Sequence, residues 1–524
     1  MSFGTCPGFI LTDRRDLLRG GLALAAVGAL GPIGCATAPH RRFTDDPFAL
    51  GIASGDPLHD RVVLWTRLVP RPLDEDGGMG PEAVPVRWQV AEDEKFSRLV
   101  REGETRAVAA DAHSVHVDVA GLAPRRTYFY RFIAGGIASP VGRTRTAPAP
   151  DGAPQAVRIG QVGCQHYETG FYTAYRHLAD EDLDVVVHTG DYIYEGAGRR
   201  KANLVRMHPP HECVTLAQYR LRYALYKSDA DLKIAHAAHP FAIVFDDHEV
   251  ANDWADDRDG RGNGGPAFMA RRAAALKAWW EHMPLRVPPP VGANMPNYRT
   301  LQFGRLVRLN LCDTRQYRTD QVCGGRVVPL CDEASSPAAQ MLGVAQENWL
   351  RRQLAGSPAR WNVIGQQVLM AELDRDTDPG VRRFDMDKWD GYRAPRQRLL
   401  SFLAEARVPN PIVLAGDFHC HVAAELRPDF SRPETPPVAA EFVNTSISSN
   451  GDGRERSKRL DAWMRDNPHV RHASFLRGYV RHDITDAAWR ADMRVVDRVT
   501  VPGAPIRTQA AFAVEAGRPQ IVRA

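Results

Sequence analysis

The sequence predicts an α/β protein of layered sheets with helices on both faces, preceded by a small all-β sandwich. Four short apolar runs, at 157–164, 185–191, 241–249 and 411–421, each stop at a thiol, carboxylate or imidazole. Buried parallel strands deliver polar groups to the carboxyl edge of a sheet in this way. Helical patterns lie between those runs. From about 48 to 146 the texture changes to period-two alternation broken by turns, which is the pattern a sandwich requires.

The chain of 524 residues is long enough for two or three domains. With 44% hydrophobic and 25% charged residues it has the composition of a globular protein. Its net charge of +4, on 67 basic and 63 acidic groups, is nearly balanced and gives no sign of a nucleic-acid groove. Residues 1–38 read as an export signal. Arg14-Arg15 precedes an apolar run from Gly20 to Gly34 that is shorter than the ~20 residues needed to span a bilayer, and the paired arginines point to the twin-arginine route. A soluble periplasmic or secreted protein follows, with no transmembrane segment in the mature chain. A lipid anchor at Cys35 is the alternative, with Pro32 standing where such signals carry a leucine.

Of the eight cysteines, Cys6 and Cys35 fall in this leader. Cys323 and Cys331 flank a short loop and suit a disulfide in an oxidising compartment, while Cys312 reads as a buried thiol. The sandwich, 45–147, takes its strands from 84–90, 113–119 and 127–132. Leu122-Ala123-Pro124 leading into Tyr128 resembles the corner of fibronectin-type sandwiches. His113 and His116 fall on opposite faces of their strand and read as surface residues. The proline-rich stretch 147–154 reads as an extended linker, and 155–524 as the catalytic domain. There, Thr215 and Gln218 form a capping box for a helix running through Tyr219, Leu225 and Ile234. Ser336-Pro337 reads as the start of another helix, through Gln346 and Leu350, and 267–283 and 395–407 are the other clear helices.

Four strands ending in metal-binding groups point to a metal site, because so much negative charge on one face needs cations. Phosphoester hydrolysis is the chemistry that uses a metal pair bridged by a carboxylate. Asp191 is the candidate bridge, since Gly190 before it allows a tight turn that presents both oxygens. Tyr194 and Cys164 add anionic oxygen and sulfur, which favour a hard but thiophilic trivalent ion over magnesium.

Gly190-Asp191-Tyr192-Ile193-Tyr194, Asp246-Asp247-His248-Glu249 and Gly416-Asp417-Phe418-His419 resemble degenerate blocks of calcineurin-like metallophosphoesterases. Together with Gly163-Cys164-Gln165-His166, Asp313-Thr314-Arg315-Gln316-Tyr317-Arg318, Trp389-Asp390-Gly391-Tyr392-Arg393 and Thr445-Ser446-Ile447-Ser448-Ser449, they are similar, in order and spacing, to the alkaline phosphatase D (PhoD) family. The resemblance covers the chain after the leader and implies one ferric ion (Fe3+) and calcium (Ca2+). On this implication Cys164, Asp191, Tyr194 and His419 hold iron, and Asp191 bridges to calcium, which Asp247 and Asp417 also hold. His248 then protonates the leaving oxygen or steadies the phosphate. The Asp-x-His pair of the first metallophosphoesterase block is missing, and Gln366 and Gln367 stand where the isolated histidine before the last block is expected.

Several residues keep two readings. Arg315 either clamps phosphate or forms an internal ion pair with Asp313 or another carboxylate. Asn252 either binds metal or phosphate or caps the following loop. Asp246 supports the site or caps a helix. His188 and His166 are structural or donate hydrogen bonds to the ligands, and His421 competes with His419. The resemblance implies an exported, metal-dependent alkaline phosphatase and phosphodiesterase acting through a metal-activated hydroxide or oxygen nucleophile on phosphate mono- and diesters. The alternatives are a phospholipase D-like activity on phospholipids, or a non-catalytic exported binding protein.

Overall fold

The computed structural model describes residues 42–198 and 204–524. The expected twin-arginine signal, Cys6 and the alternative of a lipid anchor at Cys35 fall outside the described residues. Two large sheets form the catalytic body. One has ten strands and holds Val157–Val162, Val185–His188 and Pro240–Ile243 side by side and parallel at its centre. The other has seven, with Val307–Leu311, Trp361–Gly365, Pro411–Ala415 and Ala439–Val443 parallel at its centre.

The core lies between these sheets. Val185, Val187, Ala242 and Val244 of the first meet Leu309, Leu311, Val363, Ile412, Leu414 and Phe442 of the second. Alternate residues point the other way, as a strand's two-residue period requires: Val186 packs with helices Thr173–Ala179, Leu216–Lys227, Ala230–Ala238 and Gly265–His282, and Val413 with helices Gly343–Ala355 and Arg393–Glu405. Helices therefore cover the two outer faces, as the strand and helix alternation predicted.

A further sheet of Leu99–Ala107, Val84–Ala91, Thr127–Ala134, Ile137–Ala138 and Gly142–Arg145 packs over Arg61–Arg67 and Ser114–Ala120 around Val62, Leu64, Val86, Val115 and Tyr130. Its facing sheet is not separate. Ile52–Gly55 pairs in parallel with Pro240–Ile243, so that Ile52–Gly55, Arg61–Arg67 and Ser114–Ala120 are the last three strands of the ten-stranded sheet. The tyrosine corner is present, the Ala123 N–H donating to the Tyr128 hydroxyl at 2.8 Å.

Other expectations need correction. His113, just before the strand, is buried with its Nε2 3.1 Å from the Glu82 carbonyl, and His116 stacks on Trp280 with its Nε2 2.9 Å from the Met283 carbonyl, because the helix Gly265–His282 covers that face of the strand. The helix begun at Thr215 stops at Lys227, and Asp229 caps a second one by accepting from the N–H groups of Asp231 and Leu232. Ser336-Pro337 starts no helix. A 3₁₀ turn ends at Ser335 and the helix begins at Gly343. Cys323 and Cys331 form the expected disulfide, and Cys312 is buried and free. No helix among the described residues is long and apolar enough to cross a membrane.

Candidate metal centre

The parallel strands of both sheets end at one place, and the chain turns sharply there. Cys164, Asp191, Asp417 and His419 all have left-handed backbone conformations, with φ of 58°, 58°, 60° and 53°. Such conformations cost a side-chain-bearing residue about 1–2 kcal/mol each, and their clustering marks a functional centre. Gly190 has φ +107°, and a Cβ there would lie 2.6 Å from the Asp246 backbone nitrogen. Only glycine lets the two strand ends come this close.

Asp191 occupies the middle. Around it, potential ligand atoms fall into three groups within 4.8 Å of one another, Cys164, Asp191 and His419; Asp191, Asp247 and His248; Asp191, Asp246, Asp247 and Asp417, while a fourth group, His166, Glu168 and His208, stands apart from Asp191. Asp191 belongs to each of the first three. The Tyr194 hydroxyl donates to Asp191 Oδ2 at 2.7 Å and lies 2.9 Å from His419 Nε2. Ser449 Oγ lies 2.8 Å from the same hydroxyl and 2.7 Å from the Cys164 carbonyl.

These groups lie under a cavity of about 730 Å³ lined by Tyr194, Glu195, His248, Asn252, Arg261 and His419, among others. Asp191 is 1% exposed and Asp247 2%. Asp191 Oδ1 and Asp246 Oδ2 are buried with no hydrogen-bond partner. Burial pushes the Cys164 thiol and the Tyr194 phenol well above their ordinary values, and nearby Asp191 pushes both further. Buried oxygens without partners, beside a thiol and a phenol that resist ionisation, are a donor set that fits cations.

Two cations of the chain already sit among the carboxylates. Of the two roles open to Arg315, the structure shows the internal one and corrects the phosphate clamp. The guanidinium is fully buried and does not line the cavity. It donates to Asp246 at 2.5 Å and Asp387 at 3.0 Å, and lies 3.5 Å from Asp247 and 3.6 Å from Asp417. Lys388 pairs with Asp417 and, at 3.0 Å, with Asp387. Burial opposes ionisation of Asp247, but Arg315 and His248 outweigh it and hold that carboxyl well below its usual range.

His248 presents its ring to the cavity, and its Nδ1 lies 2.6 Å from Glu195. Burial works against its charge, but Glu195, Asp247 and Asp191 raise its pKa well above the ordinary value. Asn252 is exposed on the cavity wall, and its N–H donates to the other Glu195 oxygen at 2.8 Å. Substituting Glu195→Gln removes the charge that raises the His248 pKa most. The pH–rate profile is then expected to lose its alkaline limb at a pH about one unit lower or more, while a profile that did not move would remove His248 from proton transfer.

Other candidates are not ligands here. His421 starts a strand, and its Nδ1 accepts from the Thr445 N–H at 3.3 Å; the turn at 416–420 breaks the alternation that would set it beside His419. His188 Nδ1 accepts from the Gly190 N–H. The side chains of Gln366 and Gln367 bind the backbone of Val368 and Cys312. Sequence reasoning gave no role to Glu249, although it belongs to the Asp246-Asp247-His248-Glu249 block. Its carboxylate accepts from the N–H groups of Asp191, Tyr192 and Asp246 and so fixes two strand ends together. Glu195, Asp387, Lys388 and Asn450 were missed as well, and each lies within five residues of a recognised motif.

The family model for PhoD-like phosphatases matches residues 158–493, and that for their N-terminal domain matches 34–148. The chain belongs to the PhoD-like phosphatase family. Alkaline phosphatase D of Bacillus subtilis (strain 168) is 44% identical over 511 residues, which is 95% of this chain and 87% of that protein. A solved structure of PhoD superposes with a TM-score of 0.90 at 44% identity, covering 92% of this chain and 93% of that one. As a PhoD-like phosphatase the chain is a phosphoric ester hydrolase, and the resemblance read from its motifs holds over both parts of the molecule.

Proposed function

We propose that this PhoD-like phosphatase is an exported, metal-dependent alkaline phosphatase and phosphodiesterase that hydrolyses phosphate mono- and diesters at the centre around Asp191. The sharing of Asp191 among three ligand groups carries this reading. Cys164, Tyr194, His419 and Asp191 would hold ferric iron, the thiolate and phenolate matching a hard trivalent ion. Asp247 and Asp417 would join Asp191 around calcium, which prefers oxygen. Bound there, the metals supply positive charge for the phosphoryl oxygens and lower the pKa of bound water.

The chain's own residues do the rest. Glu195 keeps the His248 ring protonated through its Nδ1, leaving Nε2 to give a proton to the departing oxygen. Burial opposes the charge on His248, but Glu195, Asp247 and Asp191 outweigh it and favour the protonated ring. Asn252, on the wall beside it, is placed to orient the phosphate. Ser449 and Asn450 hold Tyr194 and His419 in position, the latter through a 3.0 Å contact with Nδ1.

Hydrolysis of bis(p-nitrophenyl) phosphate at alkaline pH by the calcium-loaded protein tests the reading. Turnover lost on chelation and restored by calcium supports it, and an inert loaded enzyme would sink it. Iron bound through Tyr194 or Cys164 is expected to colour the protein by charge transfer, with a band shifted or weakened in Tyr194→Phe; a colourless, fully active preparation rejects iron. For export, replacing Arg14 and Arg15 by lysine is expected to retain the protein in the cytoplasm. Undiminished appearance outside would reject the twin-arginine route.

A further inference from the structure

A second cavity, of about 700 Å³, adjoins the first, and Asn450 lines both. Its wall carries Arg454, Arg456, Lys458 and Arg459, all exposed, and none of them pairs with a carboxylate within 4 Å among the described residues. Asp452, also in the lining, has its carboxylate occupied by Thr500 and the Val499 N–H.

At the inner end Arg477 is 3% exposed and likewise lacks a carboxylate partner within 4 Å among the described residues. Its guanidinium donates to neutral groups: the His419 carbonyl at 2.9 Å, Ser446 Oγ at 2.6 Å and the Gly451 carbonyl at 3.1 Å. A buried guanidinium without an anion is costly unless a ligand supplies one. Asp452, in the same lining, favours the Arg477 charge from beyond ion-pair distance, and the exposed wall carries the four cations named above. Ser457 also caps the helix Lys458–Asp466, whose positive end lies at this cavity.

We propose that this cavity binds a second phosphate group carried by the same substrate molecule, so that esters with two or more phosphates are the preferred substrates. Arg477 ties the two sites together through the His419 carbonyl, and Asn450 through the His419 ring. The second phosphate would lie on the far side of His419 from the reacting one. Guanidinium groups suit it, because they meet phosphate oxygens in pairs. This inference rests on the proposed phosphodiesterase reading.

The test uses the metal-loaded enzyme and two esters, thymidine 5′-(p-nitrophenyl phosphate) with and without a 3′-phosphate. The wild type is expected to show about tenfold higher kcat/KM on the ester with the 3′-phosphate at low salt, with the advantage shrinking as salt rises. The combined variant Arg454→Ala, Arg456→Ala, Lys458→Ala, Arg459→Ala should lose that advantage and keep the wild-type kcat on the simpler ester. No advantage in the wild type, or an equal advantage in the variant, overturns the proposal. Calorimetric binding of thymidine 3′,5′-bisphosphate, measured on both proteins, separates this from catalysis. If neither ester is turned over, the catalytic reading fails, and equal bisphosphate affinity in the two proteins then rejects the second site as well.

Discussion

Asp191→Asn is expected to lower turnover of bis(p-nitrophenyl) phosphate by about 10³-fold or more, a loss of roughly 4 kcal/mol of transition-state stabilisation. The amide keeps the size of the side chain and an acceptor for the Tyr194 hydroxyl, so the fold should survive. It removes the one charge shared by three of the ligand groups. Thermal unfolding should therefore move little in the metal-free protein, while metal content falls. A variant that keeps both its metals and its rate would show that Asp191 is not the bridge.

The second large effect concerns stability. Arg315→Met takes the shared cation away from Asp246 and Asp247, leaving these two buried carboxylates without an arginine or lysine partner, while Lys388 and Arg318 still hold Asp387 and Lys388 still holds Asp417. Breaking a buried ion pair on one side costs about 3–5 kcal/mol, and denaturant unfolding should show a loss of that size. The sign with pH follows from proton binding. Without the guanidinium these carboxyls take up protons in the native state that the unfolded chain releases, so their folded pKa values rise above the unfolded ones. Stability of the variant is then retained below the ordinary carboxyl range and lost as pH rises through the raised values. Calcium should recover part of it by replacing the missing charge. A variant as stable as the wild type at alkaline pH would mean that solvent already reaches the cluster.

The strand ends were legible because each is a short, largely apolar run that stops at a thiol, carboxylate or imidazole, and the four runs share that form. Cys164 and Asp191 came from this pattern, the family resemblance singled out Asp247, Asp417 and His419, and the structure brings all five together. Arg315 kept two readings because nothing local distinguishes an arginine that faces a cavity from one that faces carboxylates 69 and 72 residues away in sequence. The break at Lys227 and the late helix start at Gly343 were missed for a different reason. Ser336 does accept a backbone N–H, from Ala338, but it does so in a turn that no helix continues. Capping chemistry is short-range, and packing decided whether a helix followed. Asp387 and Lys388 lie before a recognised motif and became visible only when the second sheet delivered Asp417 beside them.

The pairing of Ile52–Gly55 with Pro240–Ile243 has a consequence for how the polypeptide reaches its final form. Ile52–Gly55 waits for a strand made almost two hundred residues later, and the sheet they share is not complete until the strands Arg477–Ile484 to Arg518–Arg523 are made as well. Closing so large a loop early is slow, and in the interval both strands show unpaired edges. Cutting the molecule at the proline-rich stretch would not free a module. It would remove three adjacent strands from one sheet and leave Pro240–Ile243 as a raw border, so such fragments are expected to aggregate and not to work as a smaller enzyme.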